Sequence, residues 1–177
     1  HVTLLPSLEK RLQENKGLGL IVCDIGPLDA LEQSLGAEVY NQVVKDISQL
    51  FVEMSGNIIR DNDIIAMSEL GSTSFMIFLG TSRNKKAEGK ILNTKNIQMI
   101  KQRIQVHLIE RLTEILYPFY QGFPKLALGY SLCVYNPLLR KRRLIARMIE
   151  EARDMARARS DEIMQSCKAE LQRIVLE

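Results

Sequence analysis

The residues best suited to chemistry in this chain are Arg60, Asp61, Asn62 and Asp63, followed eight positions after Asp63 by Gly71, Ser72, Thr73, Ser74 and Phe75. An arginine and an aspartate at this spacing outline a ligand clamp. The guanidinium presents a fork of donors to an anion, and the carboxylate accepts from N–H groups. The same spacing also suits a local surface ion pair, which contributes only about 0–1 kcal/mol. Glu69 to Ser72, at the head of this hydroxyl-rich stretch, reads as a turn between two strands. Its Ser72, Thr73 and Ser74 have no histidine base in the frame, so nucleophilic hydroxyl chemistry is not expected.

A clamp needs a scaffold. At 177 residues the chain is long enough for one domain with a substantial core. Apolar residues make up 46% and charged residues 25%, an ordinary balance for a soluble globular protein. The net charge of +3 tolerates a polyanionic ligand without indicating DNA or RNA. Cys23, Cys133 and Cys167 lack metal-type spacing. Buried, reduced thiols in a cytoplasmic protein are the expected state. No apolar run approaches the roughly 20 residues of a membrane-spanning helix, and no signal peptide is visible. The chain begins at His1 rather than Met, so a domain of a longer protein is expected.

Apolar periodicity places the elements. Pro6 to Asn15 reads as an amphipathic helix leaving through Lys16-Gly17, and Leu18 to Asp24 as a buried strand ending on an acid. Pro27 opens a helical segment that Gly36 interrupts. Val39 to Met54 continues it, burying Val43, Val44, Ile47, Leu50, Phe51 and Met54. Ile64 to Met67 and Ser74 to Leu79 form a strand pair. A polar loop precedes a long helix starting at Thr94 or Asn96 and ending near Leu116. Leu126 to Tyr135 is a further strand, and Leu138 to near Val175 is helical without a break. The expected fold is α+β, with a central, mainly antiparallel sheet flanked by helices and an extended C-terminal helix. The domain proper is placed at 1–160 and a helical extension at 161–177.

In order and spacing these pieces resemble the GGDEF domain, the diguanylate cyclase family, over nearly the whole chain. The family's opening strand and helix typically read Asp-Ile-Asp-x-Phe-Lys-x-Ile-Asn-Asp-x-x-Gly-His. The corresponding frame here is Asp24-Ile25-Gly26-Pro27-Leu28-Asp29-Ala30-Leu31-Glu32-Gln33-Ser34-Leu35-Gly36. The arginine-bearing approach to the family's signature loop matches Arg60 to Met67. The loop itself matches Gly71 to Phe75, with Ser68 and Glu69 as extra residues. Ala127-Leu128-Gly129 matches its late Ser-Ile-Gly strand. The resemblance implies a nucleotide-cyclase-like fold.

It also implies which chemistry has been lost. The family uses two divalent cations, which need clustered carboxylates. Asp24 keeps the first-strand acid, but the other acidic positions hold Gly26, Thr73 and Ser74, and Glu69 is the one acid in reach to rebuild a site. The guanine-reading positions carry Glu32 and Asn41. The expectation is no catalytic residues, no metal and no cofactor. The family's inhibitory Arg-x-x-Asp site for its product, cyclic di-GMP, is retained as Arg60 and Asp63, and the completing helix arginine as Arg103 within Lys101-Gln102-Arg103-Ile104. Guanidinium forks address phosphate oxygens or the O6/N7 edge of guanine, and a carboxylate accepts from its N1–H and 2-amino group.

Several other groups carry bland readings. Arg157, Arg140-Lys141-Arg142-Arg143 and His107 are expected to be ordinary helix residues. Leu138, Leu139, Ile145, Met148, Ile149 and Met155 form a core stripe. Its continuation through Ile163, Met164, Leu171, Ile174 and Val175 is expected to meet a second protomer or a neighbouring domain. The reading is thus a catalytically inactive GGDEF domain acting as a cyclic di-GMP receptor that relays to an unidentified protein partner, with no nucleic acid bound. Two alternatives stay open: a weakly active diguanylate cyclase and an interaction domain that binds no nucleotide.

Overall fold

An unbroken apolar run gives strand β1, Gly17–Asp24, seven of whose eight residues are buried. Only a central strand is covered on both faces and paired on both edges. The computed structural model describes residues 4–28, 32, 36–67, 74–80, 92–117 and 125–176, with side chains as far as 163 and at 165. In it, β1 pairs antiparallel with β3, Ser74–Leu79, on one edge and with β4, Ala127–Val134, on the other. Strand β2, Ile64–Met67, pairs antiparallel with β3, giving the order β2-β3-β1-β4. This is the antiparallel α+β sheet that the apolar pattern predicts.

Alternation along the strands divides the core between two faces. Ile21 and Cys23 of β1 and Phe75, Ile77 and Leu79 of β3 meet helices α2, Ala37–Met54, and α3, Thr94–Leu116. Phe51 of α2 stacks on Phe75, ring centroids 4.2 Å apart. On the other face Leu18, Leu20, Val22, Met76 and Phe78 meet α1, Leu4–Asn15, and α4, Lys141–Leu176. Helix α2 follows Gly36, whose φ of +82° is a left-handed conformation costly for any side chain but glycine. The Asn93 side chain caps α3 by accepting from the Asn96 N–H at 2.9 Å.

The expected core stripe of the last helix needs correction. Leu138 is 90% exposed, and Leu139 and Met155 are each 43% exposed. The Asn136 side chain and carbonyl accept from the Leu138 and Leu139 N–H groups, so this stretch is the turn out of β4 and the helix starts at Lys141. The buried stripe keeps Ile145 and Met148 of the expected set, with Ile149 partly buried, and adds Leu144, Ala152 and Ala156. Lys141 and Arg142 face solvent as expected and from there bridge to α1 through Gln13 at 2.6 Å and Glu9 at 3.0 Å. Cys23 and Cys133 are both buried free thiols, and burial, with the Asp24 charge behind it, pushes Cys23 up to about 12.

The alanines matter because α4 lies almost on the backbone of β4. A Cβ at Gly129 would stand 2.0 Å from the Ala152 carbonyl oxygen and 2.6 Å from the Ala156 nitrogen. Gly129→Ala therefore forces the helix off the sheet and is expected to destabilise by about 1–3 kcal/mol or more. Gly17→Ala, whose Cβ meets only the Cys133 carbonyl oxygen at 3.4 Å, is expected to fall well below that in the same urea-unfolding measurement.

Candidate functional site

Helix α2 stops at Met54, and the chain doubles back through Gly56, whose φ is +82° and whose N–H donates to the Ile59 carbonyl at 2.8 Å. Ile59 is buried and anchors the start of the next turn. From Arg60 to Asp63 the backbone closes that turn, with the Asp63 N–H donating to the Arg60 carbonyl at 2.9 Å. The Asp63 carboxylate then fixes it. Oδ1 accepts from the Gly80 N–H at 3.0 Å, directly beyond β3, and Oδ2 accepts from the Arg60 N–H at 3.3 Å. One side chain thus ties the entry of β2 to the exit of β3.

Arg60 is exposed on this turn, while Asp63 is half-buried. Burial raises the Asp63 carboxyl above its ordinary value, against the opposing pull of the Gly80 and Arg60 N–H groups and the Arg60 and Arg11 charges. Each carboxylate oxygen keeps further acceptor capacity for a ligand N–H. Arg11 of α1 is a residue that sequence reasoning missed. Its guanidinium donates to the Asn62 carbonyl, bringing a second cation beside Asp63. No motif marks it, since a lone arginine on the polar side of an amphipathic helix is ordinary.

Arg103 is exposed in the middle of α3. Its neighbour Ile104 is buried, and Lys101 lies over the Tyr130 ring at 5.6 Å, with Gln98 donating to the Tyr130 hydroxyl at 2.6 Å. Those contacts turn the Lys101 flank toward β4. At 3.6 residues per turn Arg103 is about 160° away from Lys101, on the exposed side of the helix. Arg60 and Asp63 share one turn, whereas no hydrogen bond or ion pair among the described residues joins Arg103 to either of them.

The Asp24 end of the sheet is separate. Register pairs Asp24 with Ser74 on one side and Ala127 on the other, while Ile64, adjoining Asp63, stands opposite Phe78. The two candidate centres therefore lie at opposite ends of the strands. Asp24 Oδ1 accepts from the Gly26 N–H at 2.8 Å, a local turn bond. Glu69, Gly71, Ser72 and Thr73 lie outside the described residues. Among the described residues, no group of three or more His, Cys, Asp or Glu could hold a metal ion, and no helix is long and apolar enough to cross a membrane.

Among the described residues, concavities also lie elsewhere. One of about 430 Å³ runs along the outer side of β4, where Lys101 and Arg159 already engage Tyr130 and Glu162. Another of about 270 Å³ lies between α2 and α3, with Glu38 and Asp46 among Val39, Val43 and Ile115. Its acidic lining is unsuited to a polyphosphate.

No protein-family model matches the chain, and no curated protein matches it by sequence. Solved structures do. The GGDEF domain of DgcB from Caulobacter crescentus, in complex with c-di-GMP, is 13% identical at a TM-score of 0.59, with 89% of this chain and 84% of that one covered. The FimX GGDEF domain from Pseudomonas aeruginosa is 12% identical at a TM-score of 0.59, with 89% and 86% covered. The diguanylate cyclase SiaD, in complex with its activator SiaC from Pseudomonas aeruginosa, is 12% identical at 0.52, with 88% of this chain and 53% of that one covered. The chain has the fold of GGDEF domains, in agreement with its motif order.

The bonds at Asp63 make a stability prediction. Asp63→Ala leaves the Gly80 and Arg60 N–H groups without their acceptor and is expected to cost about 1–3 kcal/mol at neutral pH. Because the folded-state pKa is raised, the native state binds the extra proton. The proton-linked part of the Asp63 contribution is thus fully present below the ordinary aspartate value and declines as pH rises through the folded value, while the bonds to Gly80 and Arg60 remain. Urea unfolding across that acidic range should show this slope in the wild type and lose it in Asp63→Asn.

Proposed function

We propose that this chain is a GGDEF-fold receptor for cyclic di-GMP that does not synthesise it, and that Arg60, Asp63 and Arg103 hold the ligand. The observation that carries this reading is an exposed arginine on a turn whose shape is already fixed by its own aspartate. A rigid turn presents the guanidinium without a large ordering cost on binding. Arg103, exposed on α3, supplies a second fork for a phosphate or a guanine edge. The DgcB complex with c-di-GMP supports the ligand class for this fold.

The other end of the sheet supports the absence of synthesis. A two-cation reaction needs several carboxylates, and by the motif correspondence the metal-binding positions hold one acid, Asp24, with Gly26, Thr73 and Ser74 at the others and Glu69 the one further acid in reach. Those residues do not fit a pair of magnesium ions. Ligand binding would then act through position: a molecule spanning the Arg60 turn and the Arg103 helix biases their placement. The output goes to a protein partner or a second protomer; that a protein with this fold can bind a protein partner is supported by the complex of SiaD with its activator SiaC. An intracellular second messenger implies a cytoplasmic receptor.

Calorimetry with cyclic di-GMP tests the reading. Each charged hydrogen-bonding side chain contributes about 1.5–3 kcal/mol, so Arg60→Ala and Arg103→Ala are each expected to weaken binding by roughly tenfold or more. Affinity should also fall on acidification as Asp63 takes up its proton and loses acceptor capacity. Wild-type protein that gives no heat at high ligand concentration removes the receptor reading. Incubation with GTP and Mg²⁺ is expected to yield no cyclic product by chromatography.

A further inference from the structure

We propose that Arg11 is a positioning residue that couples helix α1 to the ligand turn, so that displacement of α1 changes the state of Asp63. The proposal rests on the reading of that turn as a cyclic di-GMP site, but its central claim concerns the turn itself. Leu8 and Leu12 are buried to 2% and 0% exposure, which fixes the rotation of α1 against the sheet. On one flank, Glu9 and Gln13 are bound by Arg142 and Lys141 of α4. On the other, the Arg11 guanidinium donates to the Asn62 carbonyl, the residue before Asp63. Helix α1 is therefore held between α4 and the turn, and the turn is where it meets a group able to bind a ligand.

The chemistry at the far end of that contact is electrostatic as well as mechanical. Among the described residues, the groups facing Asp63 are Arg60 on its own turn, Arg11 on α1 and the Gly80 N–H beyond β3. Arg11 and Arg60 both favour the carboxylate against the burial that disfavours it. Withdrawing α1 removes one of the two cations and releases the Asn62 carbonyl. The turn then loses rigidity and Asp63 holds its proton to higher pH. A ligand that needs an ionised acceptor binds less well to that state, and by linkage bound ligand favours α1 in place.

The test is a carboxyl-carbon NMR titration of Asp63 in the whole chain, with amide exchange at Asn62 and Asp63 read on the same samples. Arg11→Ala is expected to move the Asp63 midpoint to higher pH and to speed amide exchange. Arg11→Lys should restore most of the midpoint, because it restores the charge. Arg142→Ala removes one of the two polar ties of α1 to α4, while Lys141–Gln13 and the buried Leu8 and Leu12 keep the helix in place, so it should leave the midpoint unchanged. Calorimetry should show cyclic di-GMP binding to Arg11→Ala weakened by roughly three- to tenfold. An unchanged midpoint and unchanged exchange in Arg11→Ala overturn the proposal, as does an Arg11→Lys midpoint no nearer the wild type than that of Arg11→Ala. Wild-type protein that fails to bind cyclic di-GMP removes the receptor reading, while the titration still decides the role of Arg11.

Discussion

Every feature of this molecule is placed by the double pairing of β1. With β3 on one edge and β4 on the other, the strand has its backbone groups satisfied on both sides and its side chains buried on both faces. A slip of one residue would send Ile21 and Cys23 to the opposite face, so the register has no tolerance. That fixed register sets Asp24 opposite Ser74 at one end of the sheet. It sets Gly19 opposite Leu79, next to Gly80 and its bond to Asp63, at the other. The chemical character of the two ends can then diverge without disturbing the core between them.

The divergence lies in what each carboxylate is asked to satisfy. Asp24 accepts from Gly26 two residues along and shapes a local turn. Asp63 accepts from a group 17 residues away and from another three residues back, so it joins separate pieces of chain. A hydroxyl in its place would offer one oxygen to two donors set on different sides. The carboxylate is the small side chain with two acceptor oxygens, and the need for both accounts for an acid in a half-buried place.

The fold was legible because its signals are periodic. The strand pair Ile64–Met67 and Ser74–Leu79 and the buried faces of α2 and β1 follow from alternation and helical repeat alone. Where the apolar pattern misled, backbone packing overrode hydrophobicity. Leu138 and Leu139 belong to a turn bound by Asn136, whereas Ala152 and Ala156 are buried because Gly129 lets the helix come close. The site was legible only in part. The spacing of Arg60 and Asp63 was visible, but the partners of Asp63 are the backbone N–H groups of Gly80 and Arg60, which no side-chain pattern encodes. Arg11 was hidden for the same reason, since it reaches across 51 residues to a carbonyl.

The state of Asp63 bears on why such a turn suits a ligand. Two N–H groups and two nearby cations favour its ionised form, yet burial still raises its pKa above the ordinary value. Desolvation is the larger effect at this carboxyl. Its cost is incurred when the chain folds, before any ligand arrives. An incoming N–H therefore meets an acceptor already stripped of much of its water and already held in position. Binding then loses less to desolvation and ordering than it would at a flexible surface acid. Surface ion pairs such as Lys10–Glu14 lack this property, because both groups remain exposed and solvent competes for each. The distinction between a clamp and an ordinary arginine–aspartate pair is therefore one of prior desolvation, and it is on the burial of Asp63 that the proposed site rests.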